Sequence, residues 1–421
     1  MITRRGFLGG AAAVGAGALI GDSAARAQTQ MEGDAPASAE TAARTTEPSR
    51  RVLVVVQLSG GNDGLNTVVP YANDTYQKAR PKLRLEAKDV LALDEHTGLH
   101  PSLAPLRARF DAGELAIVQA VGYPGPSRSH FRSMAIWHTA DTVDSAQRSG
   151  WLGRTTDALE RSATEPAHLA CLNLGNSIPF ALQREHAPVL TFDGEDSFSL
   201  APDKKYAQGK SAQLEAFRRL CSAEIAADGP YAARVRAAAS SGLASADRVL
   251  DCLHGGRATA NYPKGVGGRL ATVAKLIDGG LPARVFYVST NGYDTHARQK
   301  DAHANLLTQL AGGLAAFQQD LAKSGREKDV VVAVFSEFGR RLQENGSGGT
   351  DHGTCGPMFV LGKSVRGGLV GKAPDLGTLV DQDPRHEIDF RAVYASLLES
   401  WLGLPADELV GRGHARLPLF G

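Results

Sequence analysis

Five short apolar runs recur along the chain, and each is rich in β-branched and other aliphatic residues. They cover residues 51–58, 115–120, 283–289, 329–335 and 358–361. A continuous apolar run of this length is typical of a strand that is buried on both faces of a sheet. Helical patterns alternate with these runs, over 102–112, 130–139, 268–278, 302–323 and 391–402. The alternation predicts an α/β fold with a doubly wound, mostly parallel sheet and helices on both faces.

One stretch, from about 151 to 260, departs from this pattern. It has few strand-like runs, and a long segment rich in Ala, Arg and Leu covers 211–253. We therefore expect a mainly helical insertion in an α/β domain that extends over 51–421.

The N-terminal residues have the pattern of an export signal. Arg4 and Arg5 precede an apolar run rich in Gly and Ala, and a small-x-small cleavage motif ends at Ala27. Paired arginines before Phe-Leu indicate the twin-arginine route, so we expect a signal peptide over 1–27, the export machinery as a partner and a periplasmic location. Residues 28–50 contain almost no large apolar side chain, and we expect them to be a disordered leader.

Composition narrows the choice of partners. The chain has 46 basic and 45 acidic side chains, a balance that does not favour a nucleic-acid surface. No apolar run in the mature chain is long enough to predict a stable membrane span. The four cysteines show no CxxC spacing, and Cys221 with Cys252 is the best candidate for a disulfide. The sequence leaves the oligomeric state open.

Polar side chains capable of chemistry follow or precede the predicted strands. Because ligands of open α/β sheets bind beyond the carboxyl ends of the strands, we expect these side chains to converge there. Carboxylates and imidazoles gathered at one edge suit a divalent metal such as zinc, manganese or calcium. The candidates, in chain order, are Asp63 after the first strand, Ser127, Arg128, Ser129 and His130 after the second, Asp294 and His296 after the third, Glu337 after the fourth, and Asp351 and His352 before the fifth.

These segments together resemble a bacterial family known as domain of unknown function 1501. The resemblance covers nearly all of residues 51–420. The matching motifs are Leu58-Ser59-Gly60-Gly61-Asn62-Asp63-Gly64, the segment 126–133, Gly150-Trp151-Leu152-Gly153-Arg154, Tyr293-Asp294-Thr295-His296, Ser336-Glu337-Phe338-Gly339-Arg340, the segment 345–353 and Asp389-Phe390-Arg391-Ala392-Val393-Tyr394.

That family is in turn distantly similar to the alkaline phosphatase and sulfatase superfamily, which implies one or two metals in an α/β sheet. The resemblance implies Asp63, Asp294, His296, Glu337 and His352 as metal ligands and a nucleophile near Ser127, with Ser129 as the alternative. The implied function is hydrolysis of small phosphate or sulfate esters. Two alternatives stay open: a non-catalytic module that binds a metal, an anion or a protein, and, more weakly, an exported oxidoreductase.

Overall fold

The computed structural model of the protein describes residues 51–141, 147–161, 169–185, 189–194, 210–223 and 229–421. The predicted export signal over 1–27 and the leader over 28–50 lie outside the described residues. Within 51–421 the chain forms one unit.

Sixteen strands are described. In chain order they are β1 (Val52–Leu58), β2 (Val68–Val69), β3 (Leu91–Ala92), β4 (Gly98–Leu99), β5 (Leu115–Gly122), β6 (Cys171–Leu174), β7 (Leu190–Phe192), β8 (Val285–Thr290), β9 (Val330–Phe335), β10 (Arg340–Glu344), β11 (Thr350–His352), β12 (Gly356–Leu361), β13 (Gly368–Val370), β14 (Leu379–Val380), β15 (Asp383–Pro384) and β16 (Ile388–Asp389).

The described residues also form eleven α-helices. They are α1 (Gly64–Thr67), α2 (Asp74–Ala79), α3 (Ala104–Asp111), α4 (His130–Thr139), α5 (Trp151–Glu160), α6 (Lys210–Ser222), α7 (Pro230–Gly255), α8 (Val266–Asp278), α9 (Gln299–Lys323), α10 (Phe390–Ser396) and α11 (Ala406–Val410). A π-helical turn, Leu397–Leu402, extends α10.

The central sheet has the order β13-β5-β12-β9-β1-β8-β6-β7, and β16 also pairs with β5. Strand β1 is parallel to both of its neighbours, β8 and β9. Strand β12 is antiparallel to both β5 and β9. The predicted α/β fold with a mostly parallel sheet is therefore confirmed, with one reversed strand that the sequence pattern did not reveal.

Strand β1 shows why its sequence is apolar except for Gln57. All seven of its residues are buried. Alternate side chains belong to two different hydrophobic clusters: Val54 packs in the cluster that includes α8 and α9, whereas Val55 packs in the cluster that includes α4, α5 and α10. Helices thus cover both faces of the sheet, and no face of β1 is left for polar residues.

The predicted insertion over 151–260 is only in part separate from the sheet. Strands β6 and β7 lie within this range, and β6 pairs in parallel with β8, so this part of the chain completes one side of the sheet. The long helix predicted over 211–253 is two helices, α6 and α7, in the described residues.

Two further expectations concern the cysteines and the membrane. All four cysteines are buried free thiols, so the suggested Cys221–Cys252 disulfide is not formed. Among the described residues, no helix combines the length and the apolar character that crossing a bilayer requires.

Candidate functional site

Three loops bring the candidate residues together at one edge of the sheet. They follow β1, β8 and β9, and because these strands are adjacent and parallel, their carboxyl ends meet. The β10–β11 hairpin adds a fourth segment at this edge, since its second strand ends at His352. The predicted convergence therefore takes place for most of the candidates.

Four side chains form the centre of the site, which we call the histidine cluster: His130, Asp294, His296 and His352. The Nε2 atom of His352 lies 3.0 Å from Asp294 Oδ1 and 2.9 Å from His296 Nε2. His296 Nε2 is 3.1 Å from the same carboxylate oxygen, and His130 Nε2 is 3.6 Å from Asp294 Oδ2.

The opposite ring nitrogen of each histidine is held by a hydrogen-bond acceptor. Nδ1 of His130 lies 2.9 Å from Glu337 Oε1, and Nδ1 of His296 lies 3.2 Å from Asp351 Oδ1. Nδ1 of His352 lies 2.8 Å from the carbonyl oxygen of Arg128. Carbonyl and carboxylate oxygens accept hydrogen bonds and do not donate them, so each Nδ1 must carry the proton.

Each neutral imidazole has a single N–H group, so with Nδ1 protonated its Nε2 presents a lone pair. Three lone pairs and a carboxylate thus point at one another in the histidine cluster. One added proton would satisfy a single pair of these atoms, whereas one divalent cation would satisfy all four. The pattern of a histidine that binds metal through one nitrogen and a carboxylate or carbonyl through the other is common in metal sites.

The separations also fit a small metal ion. His296 Nε2, His352 Nε2 and Asp294 Oδ1 lie 2.9 to 3.1 Å from one another, and His130 Nε2 lies 3.6 Å from the second carboxylate oxygen, Asp294 Oδ2. A tetrahedral zinc ion with bonds of about 2.0–2.1 Å places its ligand atoms roughly 3.3 Å from one another. His130, Asp294 and His352 also form a group whose ligand atoms all lie within 4.8 Å of one another.

Arg340 holds the loops that follow β1 and β8 in place at the site. Its buried guanidinium donates to the carbonyl oxygens of Gly61 (2.6 Å) and Tyr293 (3.0 Å) and to Asp294 Oδ1 (2.7 Å). Burial by itself would raise the pKa of Asp294, but its charged and polar neighbours, the hydrogen-bonded Arg340 guanidinium first among them, lower it to about 2. Asp294 is therefore a carboxylate at neutral pH, in the form that binds a cation.

Glycines allow the loops to approach this closely. Gly60 has φ +122°, and a Cβ there would lie 2.3 Å from the backbone nitrogen of Asp294. A Cβ at Gly349 would lie 2.3 Å from the carbonyl carbon of His296. Glycine at these two positions therefore permits close backbone packing that any Cβ would prevent.

Asp63, expected among the metal ligands, is instead closed off in a buried ion pair. Its carboxylate accepts hydrogen bonds from Arg80 at 2.6 Å and from the Gln299 side chain. It also accepts from the backbone N–H of Asn66, so Asp63 is the N-cap residue of α1. Neither Asp63 nor Arg80 has any exposed side-chain surface. Burial would raise the pKa of Asp63, but Arg80 and the nearby His303 lower it overall.

The serine loop before α4 contacts the cluster through the backbone carbonyl of Arg128, but its side chains have other partners. The Oγ of Ser127 accepts from the backbone N–H of Ser129 at 3.2 Å. Ser129 is exposed and stands at the N-cap position of α4 without a side-chain capping bond. The side chain of Arg128, one of the candidates, forms an ion pair with Asp383.

The structure gives two of the candidates particular roles and adds a residue that was not among them. The ring of His130 faces Asp294 together with the other histidines. Glu337 was expected to be a ligand, but both of its oxygens are engaged, by Gly60 N–H and His130 on one side and by Ser336 on the other. Arg340 belongs to a quoted motif, and its role depends on carbonyl groups that no sequence pattern reveals.

Comparison with solved structures finds low similarity. The lipoteichoic acid synthase LtaP from Listeria monocytogenes is 9% identical with a TM-score of 0.30, over 75% of this chain and 66% of that chain. A protein in the alkaline phosphatase superfamily from Vibrio parahaemolyticus is 9% identical with a TM-score of 0.32, over 77% and 63%. Alkaline phosphatase from the Antarctic bacterium TAB5 is 12% identical with a TM-score of 0.25, over 76% and 93%.

The chain covers just under two thirds of the length of the first two of these proteins. Similarity at this level does not reveal what this chain binds or hydrolyses. None of the curated proteins matches its sequence. A family model described as a protein of unknown function, DUF1501, matches residues 116–401, which is more than half of the chain. The chain therefore belongs to the DUF1501 family.

Proposed function

We propose that the protein is an exported, metal-dependent hydrolase of phosphate or sulfate esters. The observation that carries the proposal is the histidine cluster, in which three imidazole Nε2 atoms and the Asp294 carboxylate converge while each Nδ1 is held by an acceptor. Such a set of atoms is unfavourable without a cation and well suited to one.

The donor set favours zinc among the metals considered. Three imidazole nitrogens and one carboxylate oxygen are typical zinc ligands, whereas calcium prefers sites made of oxygen alone and manganese prefers oxygen-rich sites. In this proposal His130, Asp294, His296 and His352 hold the ion. A zinc ion held by all four side chains would have its tetrahedral set filled, so it would polarise an oxygen of the ester and offset its negative charge by taking that oxygen as a fifth ligand.

The protein's own groups would orient the ester beside the cluster. The N-terminus of α4 directs unpaired backbone N–H groups toward an anion in front of it. Arg132 is exposed on this helix, two residues beyond His130, and takes over the anion-binding role that Arg128 cannot fill while it is paired with Asp383.

The candidate nucleophiles are the hydroxyl groups of Ser127 and Ser129. The Ser127 oxygen accepts a hydrogen bond within its own loop, whereas Ser129 has no capping bond, so we now rank Ser129 first. In the proposed reaction a bond forms from serine Oγ to phosphorus or sulfur, the bond to the ester oxygen breaks, and the leaving alcohol takes the proton. Water then releases the anion and restores the serine.

A non-catalytic metal- or anion-binding module is the second candidate. It is favoured by the side-chain contacts of Ser127 and Arg128, of which the first stays within the loop and the second goes to Asp383. Both functions require the metal, and they differ in whether an ester is turned over.

The metal is tested by elemental analysis of protein purified without a chelator. We expect about one zinc ion per chain, lost in His352→Ala and in His296→Ala with little change in the melting temperature of the metal-free protein. His96→Ala is the control, because His96 is an exposed histidine outside the cluster. A wild-type protein that contains no metal and takes none up from a series of divalent ions would overturn the proposal.

Hydrolysis is tested with aryl phosphate and aryl sulfate esters. The zinc-loaded wild type should hydrolyse one class, and Ser129→Ala or Ser127→Ala should abolish the reaction while zinc stays bound. A metal-loaded protein that turns over neither class would favour the binding module. An active protein whose two serine variants keep the full rate would contradict the serine mechanism.

Export is tested on the full chain in its native host. Changing both Arg4 and Arg5 to Lys should retain the precursor in the cytoplasm, whereas the wild type should be recovered from the periplasm as a mature form that begins near Gln28. Continued export of the double variant would refute the twin-arginine assignment.

A further inference from the structure

A groove of about 740 Å³ opens beside the histidine cluster. His130, Asp294 and Glu337 line one end of it. Away from that end its walls include the side chains of Phe131, Met134 and Phe180. A cavity of this size, continuous with the cluster, is large enough to hold the organic part of a substrate.

Phe131 has an exposed position that its chemistry alone does not explain. Its side chain follows His130 in the first turn of α4 and is 90% exposed. It is the most exposed of the large hydrophobic residues in the described part of the chain. Because a phenyl ring gains free energy when another surface covers it, Phe131 is well placed to stack against a ring bound in the groove.

Ser59 offers a hydrogen-bond donor in the same groove, and a buried network determines its direction. The carbonyl oxygen of the Gln57 side chain accepts from the Tyr287 hydroxyl and lies 3.1 Å from His138 Nε2. Burial lowers the pKa of His138 to about 3, so the ring is neutral. The NH₂ group of the Gln57 side chain, opposite the oxygen that faces Tyr287 and His138, donates to Ser59 Oγ at 2.7 Å. With its oxygen already accepting, Ser59 can direct its own proton into the groove.

Charge defines what the groove can hold. Its acidic members, Asp294 and Glu337, already interact with the histidine cluster, and the described lining contains no Lys or Arg. An anionic group on the substrate, besides the phosphate or sulfate, would find no basic side chain in the described lining. A cationic group on the substrate would compete with the histidines and the metal for Asp294 and Glu337. A neutral group with an apolar face and an oxygen atom is what the lining matches.

We propose that this groove binds the alcohol part of the ester, a neutral ring-bearing group that stacks on Phe131 and accepts a hydrogen bond from Ser59. The inference rests on the proposed hydrolase function for the identity of the ester, but the groove can be tested without turnover. A phenyl ring and a sugar ring share the required chemistry.

The first experiment measures binding of two neutral probes, phenol and methyl glucoside, by ligand-detected NMR with zinc-loaded protein. We expect at least one to bind the wild type, and Phe131→Ala to weaken that binding about three- to tenfold. Tyr231→Ala is the matched control, because Tyr231 is 81% exposed and does not line the groove. Ser59→Ala should weaken the probe by about two- to tenfold. Equal binding to the wild type and Phe131→Ala, or no binding of either probe, would overturn the inference.

The second experiment separates this inference from the proposed function. If esters are hydrolysed, kcat/KM for a phenyl ester relative to the methyl ester should fall about three- to tenfold in Phe131→Ala, mainly through KM. An unchanged ratio would contradict the inference about the groove without contradicting the proposed hydrolase function. Ring binding that depends on Phe131 in a protein that hydrolyses no ester would support the groove and reject the hydrolase.

Discussion

Two aspartates follow adjacent strands of the same sheet, yet the structure uses them in opposite ways. Asp63 comes after β1 and is completely buried against Arg80, whereas the Asp294 side chain comes after β8 and is 48% exposed in front of three histidines. The difference lies in what surrounds each carboxylate. A buried arginine pairs with each of them, Arg80 with Asp63 and Arg340 with Asp294, but only Asp294 keeps an exposed part, which faces the histidines. A carboxylate at the carboxyl end of a strand is therefore a ligand candidate only if part of it stays accessible after such pairing.

The largest expected effect is the loss of stability when the buried Asp63–Arg80 ion pair is broken. Asp63→Asn leaves the buried Arg80 without a counter-charge, and we expect the free energy of unfolding to fall by about 3–5 kcal/mol. Urea denaturation measures this. Asp74→Asn, which changes an exposed aspartate of α2, should stay within about 0.5 kcal/mol of the wild type. A loss of metal from folded Asp63→Asn would contradict the comparison.

The same pair should affect stability in acid. The pKa of Asp63 is lower in the folded protein than its ordinary value of 3.8, so its contribution to stability is complete above about pH 4 and is lost as the pH falls through the folded value. Asp63→Asn should therefore lose less stability than the wild type below pH 4. Parallel pH profiles for the two proteins would argue against the ion pair.

A change of the half-exposed Asp294 should affect metal binding more than stability. Asp294→Asn removes the carboxylate that the three histidines share, so we expect zinc affinity to fall by more than about a hundredfold, since even the loss of an outer partner costs ten- to a hundredfold. Its melting temperature without metal should fall less than that of Asp63→Asn, because the Asp294 side chain is half exposed and Arg340 keeps its carbonyl acceptors. Competition with a chromophoric chelator measures the affinity, and full affinity would exclude Asp294 as a ligand.

The partners of the histidines should follow with smaller effects. Glu337 is buried and holds His130, whereas the Asp351 side chain is 54% exposed and holds His296. We expect Glu337→Gln to weaken zinc binding about ten- to a hundredfold and Asp351→Asn by less, because water can replace an exposed partner. The chelator competition assay applies to both variants, and the reverse order would contradict the assigned roles.

The smallest effect concerns the serine loop. Ser127→Ala loses the hydrogen bond to the Ser129 backbone and should destabilise the protein by about 0.5–1.5 kcal/mol. Ser129→Ala has no such bond to lose and should leave the melting temperature unchanged. Thermal unfolding of the two variants tests this difference, and a larger loss in Ser129→Ala would show that its hydroxyl has a structural partner after all.

The sequence by itself determined the fold class and the members of the site that lie on strand ends. The unbroken apolar run of β1 predicts a doubly covered strand, because a sheet buried on both faces leaves no room for alternating polar residues. The positions of Asp294 and His296 after β8, and of Glu337 after β9, follow from the same topology, since parallel strands end at one edge.

The tertiary structure alone decided how these residues are used. His352 precedes β12, and in a parallel strand it would have started at the far edge; the antiparallel direction of β12 is what brings it to Asp294. The pairing of Asp63 with Arg80, and the transfer of His130 to the histidine cluster, likewise depend on packing between distant segments. Hydrophobic patterning records which face of an element is buried, but it does not record strand direction or which charge a buried group meets.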